Sequence, residues 1–201
     1  MSHDPTFPYF PAMPKALSQN LTVAEFIESV TAKAKGINNA MPLELVPHAV
    51  EYATKCFQPI REIWGNVPRS LSSGYRCRAL NVAVGGSQSS QHMAVNAGDY
   101  GLRQGENIYS MFLRLLVSNL DYDQLLIEGT KANDPRSGWI HVSYNTLKSR
   151  GIPTSGFKAD CVQRKEIKIV TFDQNGEGTT KTIGLEKAIE WADTRYRATR
   201  G

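Results

Sequence analysis

The chain lacks the cysteine patterns that cross-link small domains or bind structural metals. Its 201 residues include only three cysteines, Cys56, Cys77 and Cys161, which are widely spaced and form no Cys-x-x-Cys pair. They therefore predict neither a disulfide framework nor a thiolate zinc site. Cys56 lies among apolar residues of a helical pattern, and we expect it to be a small core residue.

Long hydrophobic runs are also missing. No stretch approaches the roughly 20 apolar residues that a membrane-spanning helix needs. The first residues, 1–5, are polar, and no apolar segment of the length found in signal peptides follows them. We therefore expect no membrane partner and no signal peptide, and a protein that is made in the cytoplasm.

Charge of one sign is not concentrated anywhere along the chain. The formal net charge is +4 and the pI is about 9.0, a weak excess that would favour acidic polymers. Dense Lys/Arg runs and basic residues interleaved with aromatic ones are absent, so we expect no nucleic-acid partner. With 41% apolar and 21% charged residues, the composition is that of a globular protein with one main domain.

The spacing of apolar residues predicts an α+β fold in which helices pack against an antiparallel sheet. Helical periodicity covers residues 42–64, where Pro59 should kink the helix, and residues 106–120. Alternating patterns predict strands at 123–128 and 139–144, and a polar loop between them makes the two strands antiparallel neighbours.

Shorter elements complete this main domain. Thr22 to Glu25 has the spacing of a capping box that opens a helix through about Lys35, which Gly36 ends. Further short strands are predicted at 69–75 and 97–101, and a helix lies between them at 78–84.

Composition divides the chain into three regions, with the main domain at 21–149. Residues 1–20 have neither a helical nor a strand period, and predict an extended arm or a partly disordered terminus. The prolines of this arm are Pro5, Pro8, Pro11 and Pro14. Residues 150–201 form a C-terminal extension that we expect to pack on the main domain or on a partner.

The extension itself has a simple pattern. A linker rich in Gly, Pro and Ser covers residues 150–156. Strands at 166–172 and 179–183 flank Asn175-Gly176, a typical hairpin turn. A helix at 185–196 follows. We identify no chemistry in this segment.

Two imidazoles and one carboxylate form a candidate metal-ligand set. His92 and Asp99 stand seven positions apart with Gly98 directly before the Asp, so a turn can bring both side chains toward one point. His141 lies in an alternating run that predicts a strand, where a polar side chain needs a partner. Two histidines and one aspartate are the ligand type of a catalytic zinc site that keeps a position open for water. Taken singly, each residue is more often structural.

Four blocks of sequence, in a fixed order, resemble a known family. They are Ser-Ser-Gly-Tyr-Arg at 72–76, Leu-Asn-Val-Ala-Val-Gly-Gly-Ser at 80–87, Ser-x-His and Ala-x-Asp within 90–99, and Trp-Ile-His-Val-Ser at 139–143. Together they resemble the zinc D-Ala-D-Ala carboxypeptidase family (peptidase family M15), roughly from Leu21 to Tyr144. That family includes carboxypeptidases, dipeptidases and phage endolysins. Ordered blocks are more specific than an isolated His-x6-Asp.

The resemblance implies a fold like that of hedgehog proteins and DD-peptidases, a Zn²⁺ cofactor and a peptidoglycan stem peptide as substrate. Arg76 would bind the carboxylate of the peptide or stabilise the tetrahedral intermediate, although a surface salt bridge is the alternative. Ser90 would hydrogen-bond the substrate or orient its loop, and Gln124 would support the site. The implied zinc ligands are His92, Asp99 and His141.

The chain departs from the family pattern at two places. The acidic residue that commonly stands two or three positions before the last His is replaced by Trp139 and Gly138. The general base must then come from elsewhere, with Glu128 as first choice and Asp134 as second. Val95 stands where the family usually has Gly, and since a β-branched residue resists positive φ, we expect the loop to take a different path.

Two functions remain open. The first is a zinc metallopeptidase, either a carboxypeptidase or an endopeptidase, which would reach the wall after lysis or as part of a phage virion. The alternative is a non-catalytic phage tail or wall-binding protein that keeps the fold, because fold alone does not determine function. In either case residues 1–20 and 150–201 could contact phage structural partners.

Overall fold

The structure, a computed structural model, describes residues 12–131, 134–146, 163–172 and 178–200. Its helices are α1 (Val23–Ile27), α2 (Val30–Lys35), α3 (Val46–Tyr52), α4 (Gln58–Ile63), α5 (Arg78–Ala83), α6 (Ile108–Leu116) and α7 (Leu185–Ala198). Its strands are β1 (Ala16–Ser18), β2 (Leu21–Thr22), β3 (Ala97–Tyr100), β4 (Gln124–Thr130), β5 (Trp139–Ser143), β6 (Glu166–Phe172) and β7 (Gly178–Ile183). None of the helices in these ranges is long and apolar enough to cross a membrane.

A five-stranded sheet in the order β3-β5-β4-β6-β7 organises the fold. Strands β4 and β5 are antiparallel neighbours, as the sequence predicts, and β3 pairs antiparallel with the other side of β5. The α+β class is confirmed. The predicted antiparallel sheet of the main domain is present as β3, β5 and β4. The extension adds a parallel pair that was not predicted, because β6 runs parallel to β4. The connection from β5 to β6 is long enough to carry the chain past β4 to its far side, whereas a tight hairpin would have paired β6 with β5 itself.

The extension at 150–201 continues the main sheet. Strand β7 pairs antiparallel with β6 as predicted, and β6 places Ile167 and Ile169 in the same apolar core as β4 and β5. Helix α7 packs against α6, where the rings of Tyr109 and Trp191 meet with centroids 5.6 Å apart. The predicted linker at 150–156 and the turn at Asn175-Gly176 lie outside the described residues.

The N-terminal elements differ in detail from their predictions. Residues 16–18 of the arm form β1, which pairs with β2 and buries Leu17, so the absence of strand structure expected there is wrong for these residues. The capping box of Thr22 and Glu25 is present, but α1 ends at Ile27 and Ser29 caps a separate α2. Gly36 ends α2 in a left-handed conformation, as predicted.

The long helix predicted at 42–64 keeps a helical backbone from Val46 to Ile63 but is not α-helical throughout. A π-helical turn at Ala53–Phe57 separates α3 from α4, and Pro59 lies in the first turn of α4. Because the backbone before it is helical, Pro59 lacks an N–H that would donate within the helix, and the π turn directly before it lies where the prediction places the distortion. Phe57 and Ile60 are fully buried, which is the apolar face that the periodicity predicts.

The two faces of the large sheet have different roles. Alternate residues such as Ile127, Ile140 and Val142 point into the hydrophobic core that the helices cover. The residues between them, including His141 and Glu128, lie on the opposite face. The polar candidates of the sequence are thereby gathered on one surface of the sheet.

Candidate metal centre

His92, Asp99 and His141 lie together and are all buried. One ligand atom from each residue lies within 4.8 Å of the others. The Oδ1 atom of Asp99 is 2.9 Å from Nδ1 of His141 and 3.3 Å from Nε2 of His92. Ligand atoms at 2.0–2.1 Å from a tetrahedral zinc are separated by about 3.3 Å. The donor types and spacing therefore fit a zinc ion with three protein ligands.

Strand pairing, not a turn, brings Asp99 to His141. The two residues are register partners in the antiparallel pair of β3 and β5, so their side chains emerge side by side on one face. Gly98 has a packing role instead of the turn role expected of it. A Cβ atom at Gly98 would lie 2.5 Å from Oη of Tyr52 and 2.9 Å from Cδ2 of Leu71. Only glycine lets the strand approach α3 this closely.

His92 reaches the site from a 3₁₀ turn, Gln91–Ala94, and its ring orientation is set by a backbone contact. Its Nδ1 lies 2.7 Å from the carbonyl oxygen of Gly74 and donates a hydrogen to it. This leaves Nε2 as the unprotonated nitrogen that faces Asp99. The strand predicted at 69–75, which contains Gly74, is reduced to a single bridge between Ser73 and Asp99. That bridge holds the segment beside both ligands.

The loop that follows His92 has a left-handed backbone conformation at Val95, which the sequence predicts this residue to avoid. Val95 has a φ of 56° and ψ of 22°, in the left-handed region that favours glycine. The expectation of a different path is therefore wrong. Val95 is fully buried in the core, and its apolar contacts offset a backbone strain on the order of 1–3 kcal/mol.

The electrostatics of the site favour metal-binding protonation states. Burial is the main influence on His92 and lowers its pKa, although Asp99 acts in the other direction. Burial would raise the pKa of the Asp99 carboxyl, but the electrostatic interaction with His92 and hydrogen bonds with both histidines hold it well below its usual range. A neutral imidazole and an ionised carboxylate are the forms that ligate metals.

Arg76 lies beside the ligand set and contacts one of its members. Its Nη2 donates to Oδ2 of Asp99 at 2.5 Å, and its Nε donates to Oγ of Ser73 at 2.8 Å. The guanidinium therefore orients the carboxylate and leaves Oδ1 for the metal. The block resemblance placed Arg76 in the site, but its contact with Asp99 depends on tertiary structure and was not predicted.

A cleft of about 570 Å³ opens over these residues. Its lining residues are Arg76, Val84, Gly85, Gly86, Ser87, Ser90, His92, Asp99, Glu128, Trp139, His141 and Phe172. The cleft thus contains the three candidate ligands together with Arg76, Ser90 and Glu128 from the predicted site. Ser90 precedes the 3₁₀ turn that carries His92.

Glu128 is the carboxylate of this cleft outside the ligand set. It pairs with Trp139 across β4 and β5, two residues along the strand from Leu126, which pairs with His141. Two residues of a strand span about 7 Å, so Glu128 lies one pleat from the ligand. Burial raises the pKa of Glu128, with His141 as the largest opposing influence. A carboxylate near a metal site with a raised pKa is suited to proton transfer.

Two other predicted residues are not among those that line the cleft. Gln124 lies two residues from Leu126 on β4, as Glu128 does, but toward the other end of the strand, and its amide donates to Glu166. Asp134 lies in the loop between β4 and β5, where its carboxylate accepts a hydrogen bond from the backbone N–H of Arg136. The hydrogen-bond partners of these two side chains, Glu166 and Arg136, likewise lie outside the set of residues that line the cleft.

A buried hydrogen-bond network that was not predicted from the sequence supports the turn Gln91–Ala94, which carries His92. Asp123 is fully buried, and its Oδ2 accepts hydrogen bonds from Nε2 of Gln91 and from Nε and Nη2 of Arg164. Gln91 is the neighbour of His92, while Arg164 belongs to the C-terminal extension. No local pattern links residues so far apart in the chain. The extension is thereby connected to the loop that carries His92, one of the candidate ligands.

Replacing Arg164 with Ala should reduce the free energy of unfolding by about 2 kcal/mol, because the Asp123 carboxylate stays buried without its cation. Fully buried pairs cost roughly 3–5 kcal/mol when broken, and the effect here is smaller because the Arg164 side chain is 32% exposed. Urea unfolding measures the change. Arg197→Ala removes an exposed ion pair with Asp193, 79% exposed at the arginine, and should cost at most about 0.5 kcal/mol. Equal stabilities for the two variants would contradict the role of Asp123.

Comparison with known proteins agrees with this geometry. The profile of the Peptidase M15 family matches residues 19–143, a segment of more than half of the chain that contains all three candidate ligands, Arg76 and Glu128. A search of curated proteins finds no match. The matched segment covers strands β2 to β5 and ends before the C-terminal extension. From the extent of this match, we conclude that the chain belongs to the peptidase M15 family.

Proposed function

We propose that this protein is a zinc-dependent peptidase that hydrolyses peptide bonds in peptidoglycan stem peptides. Membership of the peptidase M15 family indicates a hydrolase of the metallopeptidase type. The proposal goes beyond family membership in two respects, the zinc ion and the peptidoglycan substrate. The observation that carries it is the buried set of His92, Asp99 and His141 at the base of a cleft that also holds Glu128.

Each residue has a role that its position supports. His92, Asp99 and His141 would bind Zn²⁺, which when bound lowers the pKa of a coordinated water toward about 7. Glu128, one pleat along the sheet, accepts a proton from the attacking water and delivers it to the leaving amine. Its raised pKa suits both steps, since the group must take up the proton and then release it.

Arg76 and Ser90 complete the polar part of the cleft. Arg76 keeps Asp99 oriented and has further N–H groups that can bind the substrate's carboxylate or carbonyl oxygen. Ser90 presents a hydroxyl beside the ligand loop. The reaction would take place at the cell wall, which the protein reaches after lysis or as part of a phage virion.

Digestion of purified peptidoglycan by the zinc-loaded protein tests the proposal. We expect defined stem-peptide fragments in the mass spectrum of the released material, and none after the metal is removed with a chelator. Release of single D-alanine would identify a carboxypeptidase, and release of longer fragments an endopeptidase. Failure to release fragments from several wall types, despite stoichiometric zinc, would overturn the peptidase and favour a wall-binding or tail protein.

A further inference from the structure

We propose that the C-terminal hairpin forms one wall of the substrate cleft and that Phe172 is a specificity-determining residue. In this view the Phe172 ring contacts an apolar side chain of the peptide next to the scissile bond. The inference rests on the proposed peptidase function. Phe172 lies beyond residue 143, so this wall is an addition to the family-matched segment of the chain.

Strand pairing places Phe172 on the face of the sheet that carries the metal centre. Glu128 on β4 is the register partner of Val170 on β6, and partners in a parallel pair present their side chains on the same face. Side chains two residues apart in a strand share a face, so Phe172 follows Val170 on that side. Ile167 and Ile169, at the intervening positions, point into the core. Phe172 therefore extends the surface on which Glu128 and His141 lie.

The environment of the ring is that of an apolar subsite. Phe172 is 43% exposed and lines the same cleft as Glu128 and the three candidate ligands. Val84, another exposed apolar side chain, and Trp139 also line the cleft. Exposed apolar surface in a concave site is typical of ligand recognition. The polar reacting groups and this apolar wall share one cleft, so the wall should meet a side chain close to the bond that is cut.

The hairpin also holds the ring in place. Gly178 on β7 is the register partner of Phe172. A Cβ atom at Gly178 would lie 3.0 Å from Cε1 and 3.3 Å from Cδ1 of Phe172. The glycine thus leaves room for the ring to pack over the neighbouring strand. A pre-positioned ring loses little conformational freedom when a substrate binds.

The occupant that this wall would contact is an apolar side chain, which in a stem peptide can be the methyl group of an alanine flanking the scissile bond. A pocket of this kind discriminates a methyl group from hydrogen by about tenfold or more in kcat/KM. Synthetic stem peptides that carry Ala or Gly at each of the two flanking positions test this. At one of the two positions, we expect the wild-type protein to prefer Ala by about tenfold, and Phe172→Ala to reduce that preference to about twofold.

Controls separate specificity from folding and metal binding. Phe172→Leu should keep most of the preference, because it retains an apolar side chain. Leu185→Ala changes a side chain of the same extension that is 47% exposed and does not line the cleft, and it should leave the preference unchanged. Zinc stoichiometry should stay the same in all three variants. An equal loss for Ala and Gly peptides in Phe172→Ala, or no change, would overturn the inference.

The test also works if the protein cleaves none of the peptides. Isothermal titration of the zinc-loaded protein with the same peptides then measures the preference as a ratio of dissociation constants. A preference for Ala in the wild type that Phe172→Ala removes would support the apolar wall even where the proposed hydrolysis has failed. Binding of the Ala and Gly peptides with equal affinity would overturn the inference independently of activity.

Discussion

Replacing Glu128 with Gln is expected to lower kcat by about 10²–10⁴-fold, the usual contribution of a general base. Glutamine keeps the size of the side chain but cannot accept a proton. Glu128 is the carboxylate outside the ligand set among the residues that line the cleft. Turnover of a stem peptide that the wild type cleaves measures the effect, and the zinc content measured in parallel should stay at the wild-type value.

Asp134→Asn is the matched control for this prediction. Asp134 is a nearby carboxylate in the loop that follows β4, and it does not line the cleft. We expect its removal to leave kcat within about twofold of the wild type, because Asp134 is not among the described residues that line the cleft. An unchanged turnover in Glu128→Gln with an inactive Asp134→Asn would transfer the role of base to the loop.

Replacing His92 with Ala is expected to abolish tight zinc binding. Loss of an outer-shell partner typically weakens metal affinity by 10–100-fold, and loss of a ligand should exceed about 100-fold. The same result is expected for His141→Ala, because both imidazoles face Oδ1 of Asp99. Metal analysis after dialysis gives the stoichiometry, and a competing chelator gives the affinity.

His48→Ala separates this effect from the general loss of a histidine. Nδ1 of His48 lies 2.8 Å from Oγ1 of Thr146, and the residue does not line the cleft. It should retain one zinc per chain. Circular dichroism of each variant shows whether the fold persists. A folded His92→Ala protein that still holds one zinc tightly would contradict the proposed ligand set.

The position of the candidate ligands could be predicted because it depends on local patterns. Alternation along β5 puts His141 on the face opposite Ile140 and Val142, and the ordered blocks connect it to His92 and Asp99. The structural feature that brings these residues together was not predicted from the sequence. Strand register pairs Asp99 with His141, and register depends on tertiary contacts that a single strand does not show.

The parts that were missed depend on long-range geometry. Whether β6 pairs parallel or antiparallel with β4 is a property of the crossover, not of either strand, so neither the mixed sheet nor the place of Phe172 in the cleft could be derived. The Arg164–Asp123 pair joins two regions that the sequence pattern treats separately. At Val95 the backbone preference was interpreted correctly, but burial in the core outweighs it.

The parallel pairing of β6 with β4 also determines which surfaces would be exposed in a shortened chain. Without residues 150–201, the β4 strand would become a sheet border with unpaired backbone N–H and C=O groups along Gln124 to Thr130. The same truncation would remove Ile167 and Ile169 from the core and expose the apolar residues that they cover. A long unprotected strand border recruits strands of other molecules. The C-terminal extension covers this border of β4 and places β7, a threonine-rich strand with mostly exposed side chains, at the edge of the sheet instead.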